Sequence, residues 1–126
     1  MAISLKVHRA AGSGCHSETG RLRKVVMCPP TFFEIVKPIN ATQWLYYSDG
    51  LPRPEAQHMV HQHQRLVEVL REEGVEVELL PPVSGLPYQH ATRDVGVVVG
   101  DTIVLSSLKE ETRRLRNVSS RVRQLC

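Results

Sequence analysis

The segment from Pro87 to Val95 holds the polar residues whose types and order most suggest chemistry. It places Thr92, Arg93 and Asp94 directly before a strongly apolar stretch. A carboxylate at the mouth of a sheet can bind a planar cation such as guanidinium, because the cation offers paired N–H donors that the two carboxylate oxygens accept. In the alternative interpretation Asp94 caps a turn, or pairs with Arg93 or another nearby charge. Spacing alone leaves both interpretations open and leans toward the second.

A second candidate is a histidine cluster. His58, His61 and His63 form an H-x-x-H-x-H pattern in a segment with helical periodicity. Zinc sites on helices commonly use histidines four residues apart, whereas His58 and His61 are three apart and His63 is flanked by glutamines. The pattern therefore favours a solvated or interfacial helix face, and we predict no metal and no cofactor.

The cysteines form neither a disulfide framework nor a metal site. Cys15, Cys28 and Cys126 are an odd number and include no C-x-x-C pair. A nucleophilic cysteine needs a nearby base and a lowered pKa. Cys28 ends an apolar run before two prolines, so we interpret it as a buried structural thiol. No catalytic residue is assigned.

Several elements must position these side chains. Residues 21–28 predict a strand ended by Pro29 and Pro30, and residues 31–51, with Trp44, predict a long loop whose aromatic rings pack down. Residues 53–73 predict the strongest element, a helix ended by Gly74. Its apolar stripe consists of Ala56, Met59, Val60, His63, Leu66, Val67 and Leu70.

The C-terminal half adds strands. Residues 75–80 alternate apolar and acidic side chains, which predicts a half-buried strand, and residues 95–106 predict a hairpin that turns at Gly100-Asp101. The order of strand, helix and strands is typical of an α/β fold, here with one mixed sheet. A single helix covers only one face of such a sheet, so the domain is expected to be incomplete.

Charge is unevenly distributed along the 126 residues. The net charge of +3 arises in residues 109–126, which carry +4, while the rest carries −1. Aromatic residues do not interleave the arginines of this tail, so nucleic-acid binding is not expected. No apolar run approaches the roughly 20 residues that cross a bilayer, and no secretory signal is evident, so we expect a cytoplasmic protein without a membrane partner.

Four stretches together resemble a known family. They are RKVVMCPPTFFEI, KPINATQW, QHQRLVEVLREEGVEVELLPP and ATRDVGVVVGDTIVLS, in order over residues 21–112. They look like the N-terminal part of the guanidine-modifying enzymes, which include dimethylarginine dimethylaminohydrolases, arginine deiminases and amidinotransferases. The resemblance implies a pentein fold, a five-bladed α/β propeller, of which this chain would supply about one to two ββαβ modules.

The resemblance also implies a site. In that family the aspartate of the T-R-D motif binds the substrate guanidinium, which corresponds to Asp94, with Arg93 and Thr92 positioning it. The family's nucleophile is a cysteine near the C-terminus that acts beside a mid-chain histidine and forms a covalent thiouronium intermediate; neither has a counterpart here. Similar sequences usually carry an apolar residue and a phenylalanine before T-R-D, where this chain has His90 and Ala91.

The sequence thus predicts three regions: a poorly ordered lead-in over 1–20, a partial α/β domain over 21–108 and a basic, non-native tail over 109–126. The leading hypothesis is a truncated or frameshifted homologue of a dimethylargininase-like hydrolase, inactive alone, with an arginine-like guanidino compound as its small-molecule partner. The alternative is a non-catalytic binding module for arginine-like cations. An interaction protein acting through the helix histidines or the tail is a third possibility. Oligomeric state is left open.

Overall fold

The structure, a computed structural model, describes residues 7–9, 15–38, 40–48, 50–94, 96–100 and 102–106. It contains five strands, two α-helices and one 3₁₀ turn. The strands are β1 (Val7–Arg9), β2 (Lys24–Met27), β3 (Glu76–Leu79), β4 (Gly96–Val99) and β5 (Thr102–Leu105); the helices are α1 (Ala41–Ser48) and α2 (Ala56–Glu72); the 3₁₀ turn is Thr92–Asp94. Among the described residues, no helix has the length and apolar character that a membrane span requires.

The strands form two small sheets instead of the single mixed sheet predicted from sequence. β2 and β3 pair in parallel, with Val25 opposite Val77. β5 lies between β1 and β4 and is antiparallel to both. The α/β class is therefore correct, but the prediction of one sheet is wrong, because the hairpin takes β1 as its further partner and does not extend the parallel pair.

Helix α2 agrees closely with its prediction. It lies between the two parallel strands in sequence, as the connection between parallel strands requires. Gly74 follows its last turn with a φ of +78°, the left-handed conformation that glycine adopts without steric cost. Val67 is buried in the middle of the apolar stripe, whereas Leu66 is half exposed. The apolar stripe of α2 is thus wider than the part of the helix surface that is buried.

Helix α1 was not predicted. Asn40 looked like a loop residue, but its Oδ1 accepts a hydrogen bond from the backbone N–H of Gln43 at 2.8 Å and so caps the helix. The aromatic side chains also differ from expectation. Trp44 and Tyr47 are about half exposed and contact each other edge to face, with a centroid separation of 6.0 Å. The Arg53 guanidinium lies 5.2 Å from the centre of the Tyr47 ring.

The predicted lead-in includes ordered pairing at two points. β1 pairs with β5, and Cys15 exchanges two backbone hydrogen bonds of 2.8 Å with Gly100. These residues belong to the segment 1–20 that the sequence predicts to be a poorly ordered lead-in, and the hairpin offers them an open strand edge. Gly100 has a φ of +60°, as the first residue of the predicted turn requires. Asp101 and the basic tail 109–126 lie outside the described residues.

The buried core lies where the two sheets meet. Cys28 follows β2, Leu80 follows β3 and Leu105 ends β5, and these three side chains form one buried cluster against Val26 and Ile103. The core therefore joins the parallel pair to the hairpin. By this contact it holds the turn that precedes the hairpin in place.

Candidate functional site

The Thr-Arg-Asp segment forms the 3₁₀ turn directly ahead of β4. The backbone N–H of Asp94 donates to the carbonyl of Ala91 at 3.0 Å. The Ser106 hydroxyl, just beyond β5, donates to the carbonyl of Asp94. Thr92 and Asp94 are partly buried and Arg93 is exposed. The backbone of Asp94 is thus fixed from both sides.

The loop before this turn is held by a buried glutamine. Gln89 is 4% exposed. Its Oε1 accepts from the backbone N–H of Val83 at 2.7 Å, and its Nε2 donates to the Pro81 carbonyl at 3.0 Å. A side-chain amide that satisfies both a backbone donor and a backbone acceptor fixes a loop as secondary structure would. Sequence reasoning did not single out this residue.

His90 lies between this loop and the Thr-Arg-Asp turn. Its ring meets the ring of Phe33 edge to face at a centroid distance of 5.3 Å. It also lines a small recess formed with Pro29, Pro30, Phe32, Phe33, Pro82, Leu86, Pro87 and Gln89. Burial lowers the pKa of His90 below its ordinary value, and the charge of His63 lowers it further, whereas the Pro87 carbonyl and the Asp94 carboxylate oppose the shift.

His63 lies on helix α2, and its charge lowers the pKa of His90. It is partly buried, and this burial lowers the pKa of its imidazole. Nε2 of His63 and Nδ1 of His90 are both buried and make no hydrogen bond to the described part of the chain. His58 and His61, by contrast, are exposed, and Nε2 of His58 lies 3.1 Å from Nε2 of Gln62. The helix histidines therefore divide into two solvent-facing residues and one that is partly buried.

No metal site emerges among the residues that the structure describes. They contain no group of three or more histidine, cysteine, aspartate or glutamate side chains able to hold an ion. Asp94 was predicted from the sequence as a candidate site residue. His63 was assigned to an apolar stripe and a metal pattern, and His90 was noted only as a departure from similar sequences.

Cys28 has the character of a buried thiol. It is 1% exposed, and burial raises its pKa to about 11. Its Sγ donates to the Pro29 carbonyl at 3.7 Å. A thiol in this state is a poor nucleophile, because the thiolate is the reactive form.

We expect Cys28 to resist alkylation and disulfide exchange in the folded protein. With a pKa near 11, only on the order of one thousandth of the thiol is ionised at pH 8, and burial blocks access as well. The measurement is the rate of Ellman's reaction in a Cys15→Ser/Cys126→Ser variant, which retains only Cys28. The matched control is a Cys28→Ser/Cys126→Ser variant, which retains the exposed Cys15. Equal rates for the two variants without denaturant would contradict the prediction.

Comparison with known proteins shows which class of protein this chain resembles. No protein-family model matches the chain. Its sequence is 44% identical over 100 residues to the uncharacterized protein YkgA of Bacillus subtilis, covering 79% of this chain and 34% of YkgA. It is 31% identical over 96 residues to the bifunctional arginine dihydrolase/ornithine cyclodeaminase AgrE of Nostoc sp., covering 76% of this chain and 13% of AgrE.

Solved structures give the same relationship. The chain superposes on a crystal structure of an AgrE variant in binary complex with L-arginine with a TM-score of 0.62 at 29% identity, covering 74% of this chain and 13% of that one. The N-terminal domain of ArgZ, in a form covalently bound to a reaction intermediate, matches in fold with a TM-score of 0.63 at 24% identity, covering 79% and 35%. These structural neighbours are pentein-family domains.

The chain is thus homologous in sequence and structure to part of the arginine dihydrolases AgrE and ArgZ, of the pentein superfamily. It spans about a third of YkgA and about an eighth of the bifunctional enzymes.

Proposed function

We propose that this chain supplies part of the substrate-binding site of a guanidino-acting hydrolase, and that Asp94 holds the guanidinium of an arginine-like molecule. The single observation that carries the proposal is the position of Asp94. It lies at the end of a 3₁₀ turn whose backbone is tied to Ala91 and Ser106, beside the strand that opens the hairpin.

The chemistry of a carboxylate in this position supports the proposal. Two carboxylate oxygens accept two parallel N–H donors of a guanidinium, and such charge-assisted pairs are about twice as strong as neutral hydrogen bonds. The backbone hydrogen bonds of Asp94 hold the residue in place before a ligand binds, which reduces the entropy lost on binding. Thr92 and Arg93 belong to the same turn and are proposed to position Asp94.

Arginine is the proposed ligand in preference to a dimethylated arginine or an amidine donor. The related enzymes whose names state a substrate act on arginine, and one related structure contains L-arginine. The residues described here are assigned binding and no bond cleavage, because the buried thiol of Cys28 lacks the ionised form that attacks a guanidinium carbon.

A second candidate is a binding module that holds arginine-like cations without turning them over. The observation that favours it is the same aspartate, whose backbone is held by a hydrogen bond in the part of the chain described here. Ammonia and citrulline assays of the purified chain with arginine test for turnover. Product formation would contradict the module, whereas binding without product agrees with both candidates, because no bond cleavage is assigned to the described residues.

The proposal is tested by calorimetric titration of the chain with L-arginine and with L-citrulline. Citrulline has nearly the same shape but replaces the charged guanidinium with a neutral urea. We expect arginine to bind and citrulline to bind at least 10-fold more weakly, since only the cation forms a charge-assisted pair. Equal affinities, or no binding of arginine, would contradict the assignment.

A further inference from the structure

Residues 81–94, called the connecting segment below, join β3 to the hairpin and end at Asp94. All of them are described, and they contain three prolines, no strand and no α-helix, so ladder hydrogen bonds do not set the shape of this segment. We propose that Gln89 is a positioning residue that holds Asp94 where a guanidinium can bind it. This inference rests on the proposed function and identifies a further residue on which the same site depends.

The side chain of Gln89 ties the connecting segment back to its own beginning. The two backbone groups that it binds, the Val83 N–H at 2.7 Å and the Pro81 carbonyl at 3.0 Å, lie six and eight residues earlier in the chain. Pro81 directly follows Leu80, which is 2% exposed and belongs to the buried cluster. The backbone N–H of Leu80 also donates to the Met27 carbonyl at 2.8 Å. Gln89 is therefore anchored next to the best-buried part of the fold.

From Gln89 the constraint continues along the backbone to Asp94. The backbone N–H of Gln89 donates to the Leu86 carbonyl at 3.2 Å, that of Ala91 to the Tyr88 carbonyl at 3.0 Å, and that of Asp94 to the Ala91 carbonyl at 3.0 Å. Each bond joins residues three apart, so the backbone from residue 86 to residue 94 is a continuous series of turns. A displacement at Gln89 is thus carried to Asp94.

The neighbours of Gln89 pack on a single ring. Tyr88 is 6% exposed and contacts Phe33 edge to face at a centroid distance of 6.1 Å, and His90 contacts the same ring at 5.3 Å. The backbone N–H of Phe33 donates to the Pro30 carbonyl at 3.1 Å. Ring contacts of this kind tolerate sliding, whereas hydrogen bonds are directional. The amide of Gln89 therefore fixes the exact placement that the rings only favour.

The two bonds of Gln89 need one acceptor and one donor on the same side chain. A protonated carboxyl also supplies one of each, whereas a carboxylate only accepts. In Gln89→Glu the protonated form keeps both bonds, but the ionised form faces the Pro81 carbonyl with a second acceptor. Burial raises the pKa of such a carboxyl above its ordinary value of about 4.3. Because the folded chain holds this proton more tightly than the unfolded chain, the defect appears as the pH rises and is absent at low pH.

The connection to Asp94 is tested without ligand by following the backbone amides of the ¹⁵N-labelled full chain by NMR between pH 5 and 9. In Gln89→Glu we expect the amide of Val83 and the amides of residues 91–94 to follow one titration that is absent from wild type. Gln64→Glu, which makes the same change at an exposed position of α2, is the matched control and should show no such titration at these amides. A titration seen at Val83 that leaves residues 91–94 with their wild-type pH dependence would overturn the inference.

The link to the ligand is tested by measuring L-arginine affinity one pH unit below and one unit above the midpoint of that titration. Each value is taken as a ratio to wild type at the same pH, so that titration of His63 and His90 cancels. Gln89→Glu should bind arginine within about twofold of wild type at the lower pH and about 5-fold more weakly at the higher pH. A new negative charge by itself would strengthen binding of a cation, so a weaker affinity reports the position of Asp94.

Gln89→Met can make neither bond and is the second variant. Its arginine affinity should be reduced at both pH values, with no recovery on acidification. Urea unfolding of the same proteins separates position from stability. If Gln89→Glu loses stability at the higher pH but binds arginine as tightly as wild type at both, the inference is overturned and the proposed function stands. If residues 91–94 follow the introduced carboxyl and the wild-type chain binds no arginine at either pH, the proposed function is overturned instead.

Discussion

Asp94→Asn is expected to weaken L-arginine binding by roughly 100-fold at pH 7.5. Asparagine has nearly the same shape but loses the charge and one of the two acceptor oxygens, so the paired interaction with guanidinium is broken. A hydrogen bond to a charged group contributes about 1.5–3 kcal/mol, and about 2.8 kcal/mol corresponds to a factor of 100 in the dissociation constant. The measurement is calorimetric titration of both proteins with arginine.

The matched control for this substitution is Glu55→Gln. It makes the same change from carboxylate to amide, but Glu55 is exposed and its side chain makes no capping hydrogen bond to helix α2. We expect its arginine affinity to stay within about twofold of wild type, because a distant exposed charge is largely screened. Equal losses of affinity in the two variants would mean that arginine binding depends on overall charge and not on Asp94.

The largest effect on stability is expected for Leu80→Ala, which should lower the free energy of unfolding by about 2–5 kcal/mol. Leu80 is 2% exposed and belongs to the cluster that joins β2 and β3 to the hairpin. Truncation leaves a cavity between two sheets that share few other buried side chains. The backbone hydrogen bond from Leu80 to Met27, at 2.8 Å, does not depend on the side chain. Urea unfolding followed by circular dichroism measures the loss.

Leu79→Ala is the control, since it removes the same atoms from the neighbouring residue. Leu79 is 40% exposed and ends strand β3 on the other side of the pleat. Its truncation should cost less than half as much, because much of the side chain is already in contact with water. A Leu79→Ala cost equal to that of Leu80→Ala would show that the core is not where the two sheets meet.

The elements with strong periodicity could be predicted from the sequence. The apolar stripe of α2, the alternation of β3 and the two apolar runs of the hairpin each predicted an element of the correct type at these positions. Helix α1 was missed because its faces do not differ in burial; none of its described residues is buried. The sequence signal for this helix was its capping residue, Asn40, but asparagine is also common in loops.

The sheet arrangement and the site depended on long-range contacts. The pairing of β1 with an edge of β5 is decided by contacts between residues distant in sequence and not by local propensity. For the same reason Asp94 could be proposed from its motif, but its neighbours could not. From the sequence, His63 is one position of an apolar stripe, and its effect on the pKa of His90 follows only from the folded structure.

The most direct test of the central claim, that the Thr-Arg-Asp turn binds a guanidinium through Asp94, is amide chemical-shift mapping of the ¹⁵N-labelled full chain during titration with L-arginine at pH 7.5. We expect saturable shifts centred on the backbone amides of residues 90–94 and of Ser106, whose hydroxyl donates to the Asp94 carbonyl. We also expect these shifts to disappear in Asp94→Asn. Saturable shifts centred elsewhere, or shifts at residues 90–94 that persist in Asp94→Asn, would contradict it.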